Sequence, residues 1–246
     1  MGRIVRAGWA LLMGLGLGLG LGMAGAAQAG AFQISPLRLT LSGATPIAAM
    51  TVHNGGTQAS VMQLNVMAWS QTATGDDYQP STEVLVTPPI FSIAPGATQI
   101  VRVGLRRQPD ARRELAYRLF LQEVPPADKE SAIKVVLRFG IPIFLAPAGP
   151  APLPLLEWHI VAASGGTLRV EALNRGDAHV QMAGFAVSPV AAGQVLGEYR
   201  GTDYLLPEQT RQWTLKIDQV QPPGTLLNIV GRTDAGAFHA QAQLEH

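Results

Sequence analysis

The stretch 131–147 reads SAIKVVLRFGIPIFLAP, and it decides the fold class because β-branched and aromatic residues dominate it. Alternation places one set of side chains on a single face of a strand: Ile133, Val135, Leu137, Phe139, Ile141 and Ile143. The other face carries Lys134, Val136, Arg138, Gly140, Pro142 and Phe144. The predicted strand of about 12 residues exceeds the usual five or six. Two interpretations stay open, a central core strand or an edge strand exposed to a partner chain.

The first residues predict a targeting segment. Arg3 and Arg6 form a positive start, Trp9 to Met23 is an apolar run rich in Leu and Gly, and Ala27-Gln28-Ala29 has the small-x-small pattern of a cleavage site. Residues 1–29 are therefore predicted to be a signal peptide, with a retained membrane anchor as the less favoured alternative. We expect the remaining chain to be exported.

Charge and cysteine content limit the possible partners. Without Arg3 and Arg6, 16 basic side chains face 17 acidic ones, a net charge of −1 that argues against a nucleic-acid partner. Any binding of an anion must then come from local arginines. The chain has no cysteine, so burial of apolar side chains must hold it together without disulfides.

Short alternating strands separated by turn signals predict an all-β protein of two immunoglobulin-like β-sandwich domains. In the segment 32–41, Pro36 interrupts a strand pattern, which indicates an edge, a bulge or a switch between sheets. The segment 71–80 is predicted to be a polar loop. The linker APAGPAPLP at 146–154 separates residues 30–147, an N-terminal domain, from residues 148–246, a smaller β-sandwich.

Catalytic and metal-binding patterns are scarce in the sequence. The chain has five histidines, no two of them at metal-ligand spacing, and no cysteine to join them. The segment Ser164-Gly165-Gly166 lacks the frame of a nucleophile elbow and is typical of a hairpin turn. We therefore predict a protein that is not an enzyme, with no cofactor, no metal and no small-molecule substrate.

Four arginines interrupt otherwise apolar strand patterns: Arg38, Arg102, Arg118 and Arg138. Each one alone is compatible with the solvent-exposed face of a strand. Together they indicate a site for a carboxylate, because a guanidinium holds a carboxylate through two parallel hydrogen bonds that partial burial strengthens. A cleft between two sandwiches is therefore a candidate site for the C-terminus of another chain.

Several segments of the first domain resemble the periplasmic pilus-assembly chaperones, the partners of outer-membrane ushers. These segments are FQISPLRLTLSG at 32–43, TPP at 87–89, PGATQIVRV at 95–103, YRLFLQEVPP at 117–126 and KVVLRFGIPIFLAP at 134–147. The absence of cysteine, the Tyr117-Arg118 pair and the Ile141-Pro142 step are most similar to the archaic branch, whose operons often encode spore-coat-U-like pilins.

The resemblance implies an L-shaped pair of domains in the periplasm that binds pilin subunits by donor-strand complementation and delivers them to an usher. It implies that Ile133, Val135, Leu137 and Phe139 form the donor strand. It also implies that Arg38 anchors the pilin carboxylate. The second anchor of the family is a lysine where this chain has Pro142, so Arg118 is our substitute, ahead of Lys134 and Arg138.

Two other classes of protein are less favoured. An exported two-domain adhesin or carbohydrate-binding protein would more often cluster Trp and Tyr, whereas four of each are spread along this chain. A β-sandwich hydrolase would need a pair of acid–base groups that the sequence does not supply. An usher gene and small pilin genes beside this one would favour the chaperone over the adhesin.

Overall fold

The computed structural model describes residues 32–110, 112–125, 136–191 and 193–245. These residues form strands, turns and loops with no helix, which confirms the predicted all-β class. Accordingly, no helix with the length and apolarity needed to cross a membrane occurs among them. The predicted signal peptide lies outside the described residues.

The first domain contains ten of the strands found in the described residues. They are β1 (Phe32–Ser35), β2 (Leu39–Leu41), β3 (Ile47–Asn54), β4 (Ser60–Thr72), β5 (Gly75–Pro80), β6 (Val84–Thr87), β7 (Ile90–Ile93), β8 (Thr98–Leu105), β9 (Leu115–Val124) and β10 (Arg138–Leu145). One sheet has the order β1-β3-β8-β6. The other has the order β2-β10-β9-β4-β5, with β7 also paired to β4. The two sheets form the layers of a sandwich.

The proline in the first strand pattern marks a switch between these two sheets. Strand β1 pairs with β3 in one sheet, whereas β2, which follows Pro36 and Arg38, pairs in parallel with β10 in the other. Proline cannot donate a backbone hydrogen bond, so it suits the crossover where neither ladder needs a donor. Of the three structures that the sequence left open at this proline, the switch is the one that forms.

Alternate side chains of both sheets fill the core of the first domain. Strand β10 contributes Ile141, Ile143 and Leu145 to this core, and the adjacent β9 contributes Tyr117, Leu119 and Leu121. Each fully buried aliphatic side chain of this size stabilises the fold by about 1.5–3 kcal/mol. The odd-numbered face of β10 is therefore the inner face of the sandwich.

The second domain contains the remaining eight strands of the described chain. They are β11 (Leu156–Ala163), β12 (Thr167–Asn174), β13 (Val180–Pro189), β14 (Gly197–Tyr199), β15 (Asp203–Leu205), β16 (Thr210–Lys216), β17 (Leu226–Thr233) and β18 (Gly236–Glu245). A short parallel pairing of β11 with β18 joins its layers. Trp158, Phe185 and Trp213 lie in a separate core, so each domain buries its own apolar side chains.

The segment predicted as a polar loop, 71–80, is instead mostly strand, and the prediction was wrong there. Strand β5 pairs antiparallel with the end of β4, with Trp69 opposite Tyr78 and Gln71 opposite Asp76. The sequence of β5, GDDYQP, lacks β-branched residues. Its strand conformation depends on pairing with β4 and on contacts with the second domain, neither of which leaves a local pattern.

Strand β10 is paired along its whole length on one side only. Strand β9 pairs with every residue from Arg138 to Leu145. On the other side, β2 pairs only with Ile143, Phe144 and Leu145. The outer edge of β10 from Arg138 to Pro142 therefore has no neighbouring strand within the described chain.

A third apolar cluster joins the two domains. Trp69 and Phe144 of the first domain are buried against Leu206 of the second. The Phe144 ring stacks on the imidazole of His179, with centroids 3.5 Å apart and planes 6° from parallel. His179 Nδ1 lies 2.5 Å from Glu114 Oε1, which ties the two domains a second time. The L-shaped arrangement expected from the resemblance stays a prediction.

Candidate partner-binding cleft

Arg38 lies at the crossover between β1 and β2 and reaches across to the second domain. Its Nη1 is 2.8 Å from Asp234 Oδ2, in the turn between β17 and β18. The side chain of Arg38 is 44% exposed, so part of the guanidinium faces solvent. Arg38 is therefore positioned to bind an anion, although one of its nitrogens already has a carboxylate partner.

Arg118 lies on β9 and points away from the core, because its neighbours Tyr117 and Leu119 fill the interior. Its guanidinium carbon is 4.4 Å from the centre of the Trp69 ring, a cation–π contact. Its Nε is buried without a hydrogen-bond acceptor among the described residues. No carboxylate of the described chain forms an ion pair with Arg118, unlike Arg38.

Gly140 makes room for the Arg118 side chain. It lies on β10, across the ladder from Phe120. A Cβ atom at position 140 would sit 3.2 Å from Arg118 Nε and 3.3 Å from Phe120 Cε1, closer than ordinary contacts. A side chain at this position would press Arg118 away from the sheet.

The two arginines converge on Tyr204 of the second domain. Burial raises the pKa of the Tyr204 phenol, and the positive charges of Arg38 and Arg118 oppose that rise, since both stabilise the phenolate. Burial likewise raises the pKa of Tyr78 on β5, and the charge of Arg118 again opposes the rise. Two arginines and two tyrosines thus lie close together where the domains meet, with Tyr78, Tyr204 and Arg118 all against the Trp69 ring, and we call this region the cleft.

A polar network holds the walls of this cleft in place. Arg211 of the second domain donates to Asp76 of the first (3.2 Å) and to Asp203 of its own domain (2.8 Å). Asp76 also accepts from the Tyr78 hydroxyl (3.0 Å). The Gln71 amide donates to the carbonyl of Tyr204 and accepts from the backbone N–H of Leu206, both at 2.9 Å. These bonds fix Tyr78 and Tyr204 relative to Arg118.

Arg138 and Arg102 lie away from this group of side chains. Arg138, at the start of β10, is exposed and covers the Phe120 ring at 3.9 Å from its centre. Lys134 lies outside the described residues. Arg102 lies on β8 in the opposite sheet and is exposed, so it takes no part in the cleft.

The predicted donor residues are described only in part. Ile133 and Val135 lie outside the described residues. Leu137 precedes β10 and is half-buried, and its carbonyl accepts from the backbone N–H of Glu123 at 2.9 Å. Phe139 is half-buried against the core of its own domain, with its ring edge-on to Phe32 at 6.5 Å between centroids. The donor role of all four residues stays a prediction.

Sequence reasoning missed the contributions of the second domain to the cleft. Tyr204 belongs to the three-residue strand β15, and Asp234 to a hairpin turn. Neither has a motif that links it to Arg38 or Arg118. No sequence motif places Trp69 beneath Arg118, because that position depends on the hairpin of β4 and β5.

The described residues contain no candidate metal-binding site. No three histidine or acidic side chains among them are close enough together to hold a metal ion. What the cleft presents is positive charge against aromatic rings, which suits an anionic group.

Comparison with known proteins identifies the first domain. Residues 31–151 match the family described as "Pili and flagellar-assembly chaperone, PapD N-terminal domain". The curated "Chaperone protein FaeE" of Escherichia coli is 27% identical over 173 residues, which cover 69% of this chain. The matched region spans 62% of the length of that relative.

Solved structures of two-domain chaperones have the same fold. The CsuC–CsuE chaperone–tip adhesion subunit complex of Acinetobacter baumannii matches with a TM-score of 0.64 and 21% identity, over 87% of this chain and 98% of the other. The Salmonella enterica complex of the SafA pilin with the SafB chaperone matches with a TM-score of 0.58 and 18% identity, over 88% and 99%.

The first domain, residues 31–151, therefore belongs to the family of pili and flagellar-assembly chaperones. Proteins of this family are chaperones and not enzymes, and they act in the periplasm. The two immunoglobulin-like domains expected from the sequence agree with the structural relatives.

The position of Arg118 near Tyr78 and Tyr204 predicts a measurable change in the pKa values of both tyrosines when its charge is removed. Arg118→Met removes a positive charge that stabilises both phenolates, so the pKa values of Tyr78 and Tyr204 should rise. Titration of the tyrosine Cζ resonances by NMR, assigned with Tyr→Phe variants, measures this directly. Arg102→Met, on the opposite sheet, is the matched control and should move neither resonance. Unchanged titrations in Arg118→Met would contradict the geometry.

Proposed function

We propose that this protein is a periplasmic chaperone that binds pilin subunits by adding a strand to them and passes them to an outer-membrane usher. The observation that carries the proposal is the one-sided pairing of β10, together with two arginines near the junction of the domains. The family and the fold support the same function. Export through the segment 1–29 and an archaic type of pilus system are parts of this proposal.

The open edge of β10 supplies the backbone half of the interaction. Unpaired N–H and C=O groups along Arg138–Pro142 are a template for another strand. A pilin that lacks a strand of its own has a matching open edge, and pairing satisfies the backbone groups of both chains. Pro142 has no N–H to donate, so the best-paired part of the ladder should lie before it.

The cleft supplies a fixed point for the partner strand. A C-terminal carboxylate placed between Arg38 and Arg118 would accept charge-assisted hydrogen bonds from both guanidinium groups. Arg118 has no ion-pair partner among the described carboxylates, is half-buried, and lies against Trp69 with its Nε shielded from solvent. An ion pair gains strength in such a place, so we assign Arg118 the larger share of the binding energy.

Side chains of the donor strand would supply the apolar part of the interaction with the pilin. Leu137 is half-buried and precedes the buried residues of β10, and Phe139 packs only partly against the core of its own domain. We propose that Ile133, Val135 and Leu137 enter the pilin groove. Phe139 would serve both the groove and the core, since it already contacts Phe32.

Related complexes fit this proposal. One is a pre-assembly complex of a chaperone with a tip adhesion subunit, from an archaic chaperone–usher pilus, and another is a chaperone with a pilin. By analogy, the partners of this chain are pilin subunits and an usher. Pilin genes and an usher gene near its own gene would supply the partners for the experiments below.

The anchor is tested with arginine variants co-expressed with pilin subunits from the same gene cluster. Arg118→Ala should weaken pilin binding by roughly thirtyfold, about 2 kcal/mol, because a partly buried ion pair is lost. Arg38→Ala should weaken it less, because Arg38 is more exposed. Arg102→Ala is the control and should bind pilin like the wild type. Wild-type co-purification by both cleft variants would rule out this anchor.

The donor strand is tested with Leu137→Ser. The change removes roughly 1.5–3 kcal/mol of apolar burial in the pilin groove, so pilin capture should fall while the melting temperature of the chaperone stays nearly constant. Val136→Thr on the opposite face preserves side-chain shape and is the matched control. Phe139→Ala should lower both quantities, because its ring also packs on the core. A sharp fall in melting temperature for Leu137→Ser, with pilin capture unchanged, would make β10 an ordinary core strand.

A further inference from the structure

The contact between Arg38 and Asp234 places a carboxylate of the protein itself in the candidate anchor site. Arg38 belongs to the first domain and Asp234 to the second, so their ion pair of 2.8 Å spans the cleft. An incoming carboxylate would occupy the same kind of position on the same guanidinium. The cleft therefore already contains a carboxylate of its own, the chemical group that it is proposed to bind.

Asp234 is held in place independently of Arg38. Its Oδ1 accepts from the backbone N–H of Gln181 on β13 at 3.0 Å, and its own backbone N–H donates to the Gln181 carbonyl at 3.0 Å. The other carboxylate oxygen, Oδ2, is free to face Arg38. The carboxylate is thus a fixed part of the second domain, and Arg38 reaches it from the first domain.

The charges around Tyr204 support the same arrangement. Asp234 raises the pKa of the Tyr204 phenol, whereas Arg38 and Arg118 lower it, so all three charges lie near this hydroxyl. Two arginines and one aspartate leave a net charge of +1 from these three groups. One further carboxylate would bring that charge to zero.

We propose that Asp234 is an internal competitor that occupies Arg38 until the carboxylate of a bound chain displaces it. The inference rests on the proposed carboxylate anchor and adds a regulatory residue in the second domain. Arg118, without a carboxylate of this kind in the described chain, is the first contact. Arg38 is then transferred from Asp234 to the ligand, and the contact between the domains at this point is released.

The competition predicts that removal of the Asp234 charge strengthens binding. Asp234→Asn keeps an acceptor for the Gln181 N–H but gives up the ion pair with Arg38. Affinity for a free carboxylate should rise about two- to fivefold, the range expected for an ion pair with this much exposure. If Asp234 only orients Arg38, Asp234→Asn should instead lose affinity for the carboxylate.

The probe is an acetylated octapeptide of alternating Thr and Val, prepared once with a free C-terminal carboxylate and once as the amide. Dissociation constants from NMR titration are compared for wild type, Asp234→Asn, Arg38→Ala and the double variant. The gain in Asp234→Asn should appear for the acid only and disappear in the double variant. A gain for the amide as well, no gain, or a loss would overturn the proposal.

A second readout separates this inference from the proposed function. Asp234→Asn should lower the pKa of Tyr204 without any ligand, because a negative charge is removed and Arg38 is freed. The pKa of Tyr204 could fall in Asp234→Asn while the wild type binds the acid and amide peptides equally well. The Arg38–Asp234 ion pair would then be confirmed, but the carboxylate anchor would fail, and the competitor role would fail with it. If the wild type prefers the acid and Asp234→Asn gains nothing, only the competitor role fails.

Discussion

Pairing of β10 with β9 along its full length, and with β2 only at its end, is the constraint on which the rest of the structure depends. The inner face of β10 is fixed by Ile141 and Ile143 in the first core, and Phe144 is fixed at the domain junction. These contacts anchor the end of the strand firmly. Its beginning can then remain open on one side without loss of register, which suits a strand that a partner chain pairs with.

The second domain completes the cleft and does not merely extend the molecule. Tyr204 and Asp234 approach Arg38 and Arg118 from its side, and Arg211 ties its strand β16 to Asp76 of the first domain. Hydrogen bonds of this kind position charged groups before a ligand arrives, so less conformational entropy is lost on binding. The geometry of the proposed anchor therefore depends on both domains.

The sequence predicted the fold class and the alternation of β10, and it left the switch of sheets at Pro36 as one of three possibilities. Alternation alone did not reveal which face of β10 is internal, because apolar residues occur on both: Ile143 enters the first core, and Phe144 enters the junction. The hairpin of β4 and β5 was missed because GDDYQP has low strand propensity. Asp234 was beyond sequence reasoning, since its proximity to Arg38 arises only from the packing of two domains.

Hydrogen–deuterium exchange tests most directly whether β10 is the strand that a partner pairs with. Amides of the segment 137–141 are compared between the free protein and its complex with a pilin subunit from the same gene cluster. Pairing at the open edge should slow the exchange of alternate amides there, while the amides of Ile143 to Leu145, already between two strands, change little. A stable complex in which exchange at 137–141 is unchanged would contradict strand addition.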